Sequence, residues 1–386
     1  MSGKRILIVD PDAASRTFVA RTLQAQQHEV LQADSGKEGL ITAWRDRPDL
    51  IIMEPTVPDL GGAEFAQKIR QDPRTADVML IALSSDPSIA RIKSCMEAGF
   101  NEYITKSGQA IPALTEALGG LLAIKDAAAR VGGLLIVFLT AKGGTGTSSL
   151  CANIAMNIAT NEPEARVVVV DMVLPIGSIS PIVGYDGHQD VVSVAELGPA
   201  QTTAEYFQEQ LPAMALWRFH LLAGSPDPES SNHLRIGRIW DIIAALKAGY
   251  DYVVVDVGRS LSRISLPLIQ HADLITLVLG TDLSAVTLTK TLWEYLRSKG
   301  VGPERIYGIL NRAVGLEGVT KAEAEKIIGL PIKTAMPYLG SNFALANNQH
   351  QPLALKFPND TAAIVLRETA SEMAGLARRL RGGSGK

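Results

Sequence analysis

Cysteine is nearly absent from this chain: Cys95 and Cys151 are the only two in 386 residues. They lie far apart, each in a helical and apolar context, so buried free thiols are expected rather than a disulfide or a ligand pair. The six histidines are scattered without zinc spacing, which removes a structural metal site from consideration. Aromatic residues make up only 5% of the chain, and no apolar run approaches the roughly 20 residues of a membrane span. Charge of one sign is missing too. Residues 1–125 carry 14 basic and 16 acidic side chains, the remainder 23 and 24, for a net charge of −3. The densest basic cluster, Arg378–Arg381, is short and terminal. No polycationic surface is therefore expected, and nucleic acid is not an expected partner. The opening MSGKRILIVD runs straight into a strand without a signal peptide, so a cytoplasmic protein is expected.

What is present is regular alternation. In residues 1–125, strand-like runs at Arg5–Val9, Glu29–Gln32, Leu50–Met53, Met79–Leu83 and Tyr103–Ile104 alternate with amphipathic stretches such as Ala13–Gln26 and Gly36–Arg45. Five such alternations predict a doubly wound parallel α/β sheet, with its chemistry at the carboxyl ends of the strands. Residues 126–133 read as a short Gly-flanked linker after a last helix. A longer α/β pattern fills 134–386, with strands expected at 134–139, 166–170, 218–222, 252–256, 274–279, 305–310 and 332–336. The fold class is thus α/β, with two doubly wound parallel-sheet domains. The final GGSGK is expected to be a disordered tail.

The richest segment is LTAKGGTGTSSL at 139–150. Six apolar residues, Leu134–Leu139, lead into it as a buried parallel strand, and a helical run follows from Ser148 and Ser149. Glycines let backbone N–H groups close on phosphates, and the following helix N-terminus favours negative charge. The P-loop pattern G-x-x-x-x-G-K-[ST] places lysine just before the metal-binding hydroxyl. Here Thr147 holds that place and Lys142 stands at the head of the loop. A positive charge there, ahead of GG-x-G, is similar to the deviant Walker A loop of the MinD/ParA ATPases. Gly143, Gly144, Thr145, Gly146, Thr147, Ser148 and Ser149 are the candidate phosphate contacts, with Ser148 available to Mg²⁺.

Residues 1–125 resemble a CheY-like response-regulator receiver. The resemblance implies an acid pair after the first strand that holds Mg²⁺. ILIVDPD supplies Asp10, but Pro11 takes the second place and Asp12 comes one residue late. The phosphoacceptor position, in IIMEPTVPD, is Glu54, one methylene longer than aspartate and so displaced from attack geometry. Ser84 matches the sensing hydroxyl, Tyr103 the aromatic switch residue and Lys106 the lysine, with Ser107 in place of the usual proline. Two readings stay open: phosphorylation somewhere at this site, on Glu54 for example, or a pseudo-receiver in which Glu54 forms a fixed ion pair with Lys106 and the unit serves as a docking or dimerisation surface.

Residues 134–386 resemble a P-loop MinD/ParA-like ATPase through several ordered motifs. RVVVVDMVLPIGSI places Asp171 as the first switch acid, while Val173 stands where the family has a second acid that orients water. YDYVVVDVGRS resembles a Walker B strand, with Asp256 placed to bind Mg²⁺ through water. GILNRAVG implies an adenine contact from Asn311, and Pro337 opens the family's closing segment around the base. The resemblance gives Lys142 a contact to the phosphates of a dimer partner; folding back within its own subunit, or a solvated loop charge, are the alternatives. ATP and Mg²⁺ are the implied cofactors. Loss of one clamp on a transferring phosphoryl typically costs on the order of 10²–10³ in rate, so weak or absent turnover is expected.

A receiver-like unit ahead of such an ATPase resembles the TadZ/CpaE group of Flp/Tad pilus-assembly proteins. That implies a homodimer that marks a cellular position, often the pole, and recruits the secretion ATPase and other pilus components. Two rivals remain. A ParA-like DNA-partitioning ATPase calls for a basic surface that the charge balance does not provide. A MinD-like positioning regulator calls for a terminal amphipathic anchor, whereas Asp360–Leu380 reads as a packing helix, and no direct membrane anchor is expected.

Overall fold

Arg5–Val9 (RILIV) form strand β1, and alternate residues feed two different cores, as a period of two demands. Leu7 and Val9 face one apolar cluster with Phe65, while Ile6 and Ile8 face another with Leu23. The remaining strands of this sheet are β2 (Glu29–Ala33), β3 (Leu50–Met53), β4 (Met79–Ser84) and β5 (Glu102–Thr105). All pair in parallel, in the order β2-β1-β3-β4-β5. Helices α1 (Ala13–Ala25), α2 (Gly36–Asp46), α3 (Gly62–Gln71), α4 (Ile89–Ala98) and α5 (residues 110–117) alternate with them. Strand order reverses beside β1, which opens a crevice beyond the carboxyl ends of β1 and β3.

The computed structural model describes residues 4–72, 75–76, 78–117, 132–262, 264–312 and 318–383. They fall into two compact units, Met1–Ala129 and Arg130–Lys386. Most of the linker expected at 126–133, with the end of the helix before it, lies outside the described residues.

The second unit holds an eight-stranded sheet of β6 (Leu134–Thr140), β7 (Val167–Asp171), β8 (Ala213–Met214), β9 (Phe219–Leu222), β10 (Tyr252–Asp256), β11 (Leu274–Gly280), β12 (Ile306–Asn311) and β13 (Ile332–Ala335). Its order is β13-β12-β11-β6-β10-β7-β9-β8. The seven expected strands are present within a residue or two and are parallel. The edge strand β8 was not foreseen, and it runs antiparallel to β9. Two residues are too few to show a period, and an edge strand needs only one partner.

Helices α6 (Thr147–Asn161), α7 (Ser180–Val183), α8 (Val191–Glu196), α9 (Ala204–Gln210), α10 (Pro228–Asn232), α11 (Ile239–Gly249), α12 (Ser265–His271), α13 (Leu283–Ser298), α14 (Lys321–Ile328), α15 (Gly340–Asn348), α16 (Leu353–Lys356) and α17 (Thr361–Gly383) complete the unit. The last helix packs Leu366, Ala370, Met373, Ala374 and Ala377 into one buried cluster with α6 residues Leu150, Ile154 and Ile158. It continues to Gly383, so the first two glycines of the expected tail are helical; residues 384–386 lie outside the described residues.

The end of α17 is tied back to the start of β6. Arg381 pairs with Asp273 and donates to the carbonyls of Gly132 and Gly133, while Asp273 Oδ2 accepts from Leu135 N at 2.8 Å. Gly133 has to be glycine, because a Cβ there would fall 1.9 Å from the Tyr250 carbonyl oxygen. Both cysteines are buried and free. Among the described residues, no helix is long and apolar enough to cross a membrane.

Candidate functional site

The crevice of the first unit gathers side chains from four strand ends. Asp10 follows β1, Glu54 follows β3, Ser84 ends β4 and Lys106 follows β5. Lys106 Nζ lies 2.8 Å from Asp10 Oδ2 and 3.0 Å from Glu54 Oε2. Glu54 Oε1 accepts from the Ser84 hydroxyl at 2.8 Å and from the Thr56 hydroxyl at 2.6 Å. Burial pushes the Glu54 carboxyl up, but Thr56, Lys106 and Ser84 outweigh it and hold the group below the usual glutamate range. Burial likewise lowers Lys106, and its two carboxylate partners more than offset this, so the ammonium is held above its ordinary value.

The Asp12 carboxylate takes no part in this cluster, although its backbone N–H donates to Asp10 Oδ1 at 2.9 Å. It caps α1, accepting from Ala14 N at 3.0 Å and Ser15 N at 3.3 Å. A receiver-type cation site therefore does not fit: the second acid is spent on a cap, and an ammonium bridges the other two. Tyr103 is half-buried, and its hydroxyl donates to the Asp86 carbonyl. The sequence pointed to the Glu54–Lys106 pair, but not to the parts played by Thr56 and Asp10.

In the second unit, β6, β7 and β10 lie side by side and place the loop, Asp171 and Asp256 at one end of the sheet. The loop is shaped from below. Gly144 and Gly146 adopt φ of +79° and +78°. Asn311 Nδ2 donates to the Thr145 carbonyl at 2.8 Å. The Thr145 hydroxyl is 3.0 Å from that of Thr140 and 2.9 Å from that of Thr147. Thr147 is only 5% exposed, so the residue standing in the lysine's place is turned inward into this hydroxyl chain. The outer face is open: nothing lies within 4 Å of a Cβ built on Gly143 or Gly144. Helix α6 has Gly146 as its N-cap, without a side-chain cap, which leaves its first N–H groups for an anion.

The acids divide their tasks. Asp171 is fully buried, and its oxygens accept from Val173 N (3.0 Å), Ser178 N (2.6 Å) and Ile179 N (2.7 Å), bracing the loop that follows β7. Burial and the nearby Asp256 carboxylate push it up to about 7. Asp256 is pushed up to about 6 by burial, while Ser148 and the Gly258 N–H pull the other way. Its Oδ1 accepts from Gly258 N at 2.9 Å, but the buried Oδ2 has no hydrogen-bond partner. The Ser148 hydroxyl, beside it, lies 2.9 Å from that of Ser178. A buried carboxylate oxygen without a donor, next to a hydroxyl and an open anion cradle, fits Mg²⁺ carried by a nucleotide. Val173 packs over Gly258, with its Cγ2 3.2 Å from where a Cβ on that glycine would sit, and brings no acceptor to this end of the sheet.

Lys142 Nζ is bound within its own chain, 2.7 Å from Asp282 Oδ1 and 2.8 Å from Ser284 Oγ. The Lys142 ammonium, with Ser284 and Ala285 N, holds the Asp282 carboxyl down to about 2. Asp282 is also the N-cap of α13. Nothing local to Asp282 marks it as the partner of a lysine 140 residues away. Asn311 is buried under the loop, with its amide donor spent on Thr145. Pro337 is half-buried just after β13, and the following α15 reaches α6 through Asn347 Nδ2 and Ser149 Oγ at 3.3 Å.

Residues 6–118 match the model of the response regulator receiver domain. Over 106 residues the chain is 32% identical to the phosphate regulon transcriptional regulatory protein PhoB of Pseudomonas aeruginosa, covering 28% of this chain and 46% of that protein. Over 102 residues it is 33% identical to the transcriptional regulator RpaA of Synechocystis, covering 26% of this chain and 42% of that protein. The chain thus spans less than half the length of these relatives. A ParA family ATPase from Chlorobium tepidum superposes with a TM-score of 0.57 at 24% identity, over 61% of this chain and 98% of that one. The septum site-determining protein MinD of Pyrococcus horikoshii, complexed with Mg-ADP, gives 0.54 at 20% identity, over 64% and 98%. The chain joins a receiver domain, over residues 6–118, to a second unit with the fold of the MinD and ParA ATPases.

Proposed function

We propose that this chain is a nucleotide-holding localisation and assembly factor of the TadZ/CpaE type, serving a Flp/Tad pilus. In this reading it binds ATP with Mg²⁺, hydrolyses it weakly or not at all, dimerises, and recruits the secretion ATPase and other pilus components at a cellular position such as the pole. One observation carries the reading: an otherwise complete phosphate cradle holds Thr147, turned inward, where hydrolysing P-loop proteins hold lysine. Asp256 and Ser148 would hold the cation, whose charge offsets that of the phosphates. The backbone of Gly143–Ser149 would hold the phosphates. Val173 offers no group to orient a water, so bound nucleotide is kept rather than consumed. The Mg-ADP bound to its relative in fold from Pyrococcus horikoshii supports the same ligand class here. The Glu54–Lys106–Asp10 cluster supports a receiver fixed in one state, acting as a docking surface and not as a phosphate acceptor.

The test is equilibrium binding of ATP to the purified full chain, with and without Mg²⁺, alongside phosphate release. Saturable, Mg²⁺-assisted binding with negligible release is expected. Asp256→Ala should remove most of the Mg²⁺ enhancement, about tenfold or more in affinity for one lost charged contact. Turnover near 1 s⁻¹ or faster would refute the holding role. A second variant probes the loop itself. Gly146→Ala forces a side chain to φ +78° and puts its Cβ 2.8 Å from Asn311 Nδ2. It should cost about 1–2 kcal/mol of stability in thermal melting, together with the ATP-induced rise in Tm. An unchanged rise would show that the loop does not carry the nucleotide.

A further inference from the structure

A second concavity lies well along the chain from the phosphate loop. It has a volume of about 450 Å³ and is walled by the 185–189 loop, α8, α9 and Pro212, just before the edge strand β8. Two features set it apart from an accidental surface dent. First, two phenol rings are fixed by one residue. Gln189 N donates to the Tyr185 hydroxyl at 3.1 Å, and Gln189 Nε2 donates to the Tyr206 hydroxyl at 3.2 Å. Tyr206 is also braced edge-on by the buried Phe207, with ring centroids 5.3 Å apart, and the loop closes so tightly that a Cβ on Gly187 would fall 2.4 Å from the Tyr185 hydroxyl. Second, the lining contains no Asp, Glu, Lys or Arg, although charged residues form 20% of the chain.

The hydrogen-bonding balance indicates what fits. The Tyr206 hydroxyl accepts from Gln189 and keeps its own proton to give, and the Gln210 amide and the His188 ring also border the space. The wall therefore offers donors without charge, between rigid aromatic rings. An uncharged ligand with unpaired carbonyl oxygens and apolar rings matches both properties. A polyproline II segment has them by construction: no internal hydrogen bonds, outward carbonyls, and pyrrolidine rings that pack on aromatic faces with little entropy left to lose. We propose that this pocket binds a proline-rich segment of a partner protein in polyproline II conformation, with Tyr185 and Tyr206 flanking a proline ring and the Tyr206 hydroxyl donating to a peptide carbonyl.

The test is calorimetric titration of the full chain with acetyl-decaproline amide, against a Gly-Ser peptide of equal length. Saturable binding at least about tenfold tighter for decaproline is expected. Tyr206→Phe keeps the ring and removes only the donor, so it should weaken binding about fivefold, the worth of one neutral hydrogen bond. Gln189→Ala removes the side-chain amide that holds the Tyr206 ring, leaves the backbone contact to Tyr185, and should also weaken binding. Thermal melting of each variant checks the fold, and ATP binding should stay unchanged because the loop at 141–149 is untouched. The proposal is overturned if decaproline binds no better than the Gly-Ser peptide. It is also overturned if correctly folded Tyr206→Phe and Gln189→Ala both bind decaproline as the native chain does. Loss of ATP binding with decaproline binding intact would count against the nucleotide reading alone.

Discussion

Replacing Lys106 with methionine is expected to lower the unfolding free energy of the receiver unit by about 3 kcal/mol at pH 7, the lower end of the range for removing one partner of a buried charge pair. The lower end applies because the Lys106 side chain keeps 22% of its surface in water, whereas those of Asp10 and Glu54 keep 5% and 7%. Methionine fills the volume but leaves two buried carboxylates facing each other. In the native chain Glu54 is held below its ordinary value by Thr56, Lys106 and Ser84 against the effect of burial. A depressed acid contributes stability above its unfolded pKa, and that contribution is lost as pH falls through the folded value. In the variant, only the Thr56 and Ser84 hydroxyls still oppose burial, and Glu54 rises above its value in the native chain. The deficit is therefore full at neutral pH and shrinks as acid protonates Glu54. Calorimetric melting of the full chain should show one transition lowered by roughly 10 °C or more at pH 7, with the other unmoved, and a smaller gap near pH 4. The double variant Glu54→Gln/Lys106→Met should recover much of the loss. Equal melting temperatures at both pH values would mean that the three groups do not form a working ion cluster.

The largest gain is expected from restoring the two groups missing from the phosphate site. Thr147→Lys supplies the absent positive clamp, and Val173→Asp supplies an acceptor beside Gly258 able to hold a water. Each such group is typically worth on the order of 10²–10³ in rate at phosphoryl-transfer sites, and groups that act as a unit are far from additive. The double variant should therefore release phosphate from ATP at least about 10²-fold faster than the native chain, with each single variant well below it. Thr147→Lys must break the hydroxyl contact to Thr145, so a melting curve should accompany the rate. A folded, ATP-binding double variant with native turnover would locate the block elsewhere. The pairing of Lys142 with Asp282 and Ser284 is the first place to look, since that ammonium has to leave both before it reaches a phosphate.

Much of the architecture was legible in local pattern. Apolar runs such as LLIVFLT and YVVVD have few ways to be buried except as central parallel strands. Their ends then fix where Asp10, Glu54, Asp171 and Asp256 stand. The Gly-rich loop before α6 and the missing lysine at Thr147 are likewise properties of consecutive residues. The short antiparallel β8 escaped because two residues carry no period.

Partner choice was not legible. Asp12, one residue late for the acid pair, is a helix cap. Asn311 stands where the resemblance implies an adenine contact; its Nδ2 donates to the Thr145 carbonyl, and its Oδ1 has no hydrogen-bond partner. Lys142 had three possible destinations, and in this chain it is held by Asp282. Which residues lie at the strand ends, and which chemistry the loop lost, follow from consecutive residues. Which of them meet follows from the fold. Lys106 and Asp10 are 96 residues apart, Lys142 and Asp282 140, and Asn311 and Thr145 166. Contacts at such separations depend on the order in which strands enter a sheet, and strand order is set by crossover connections and the packing of whole layers, which no local run of side chains encodes.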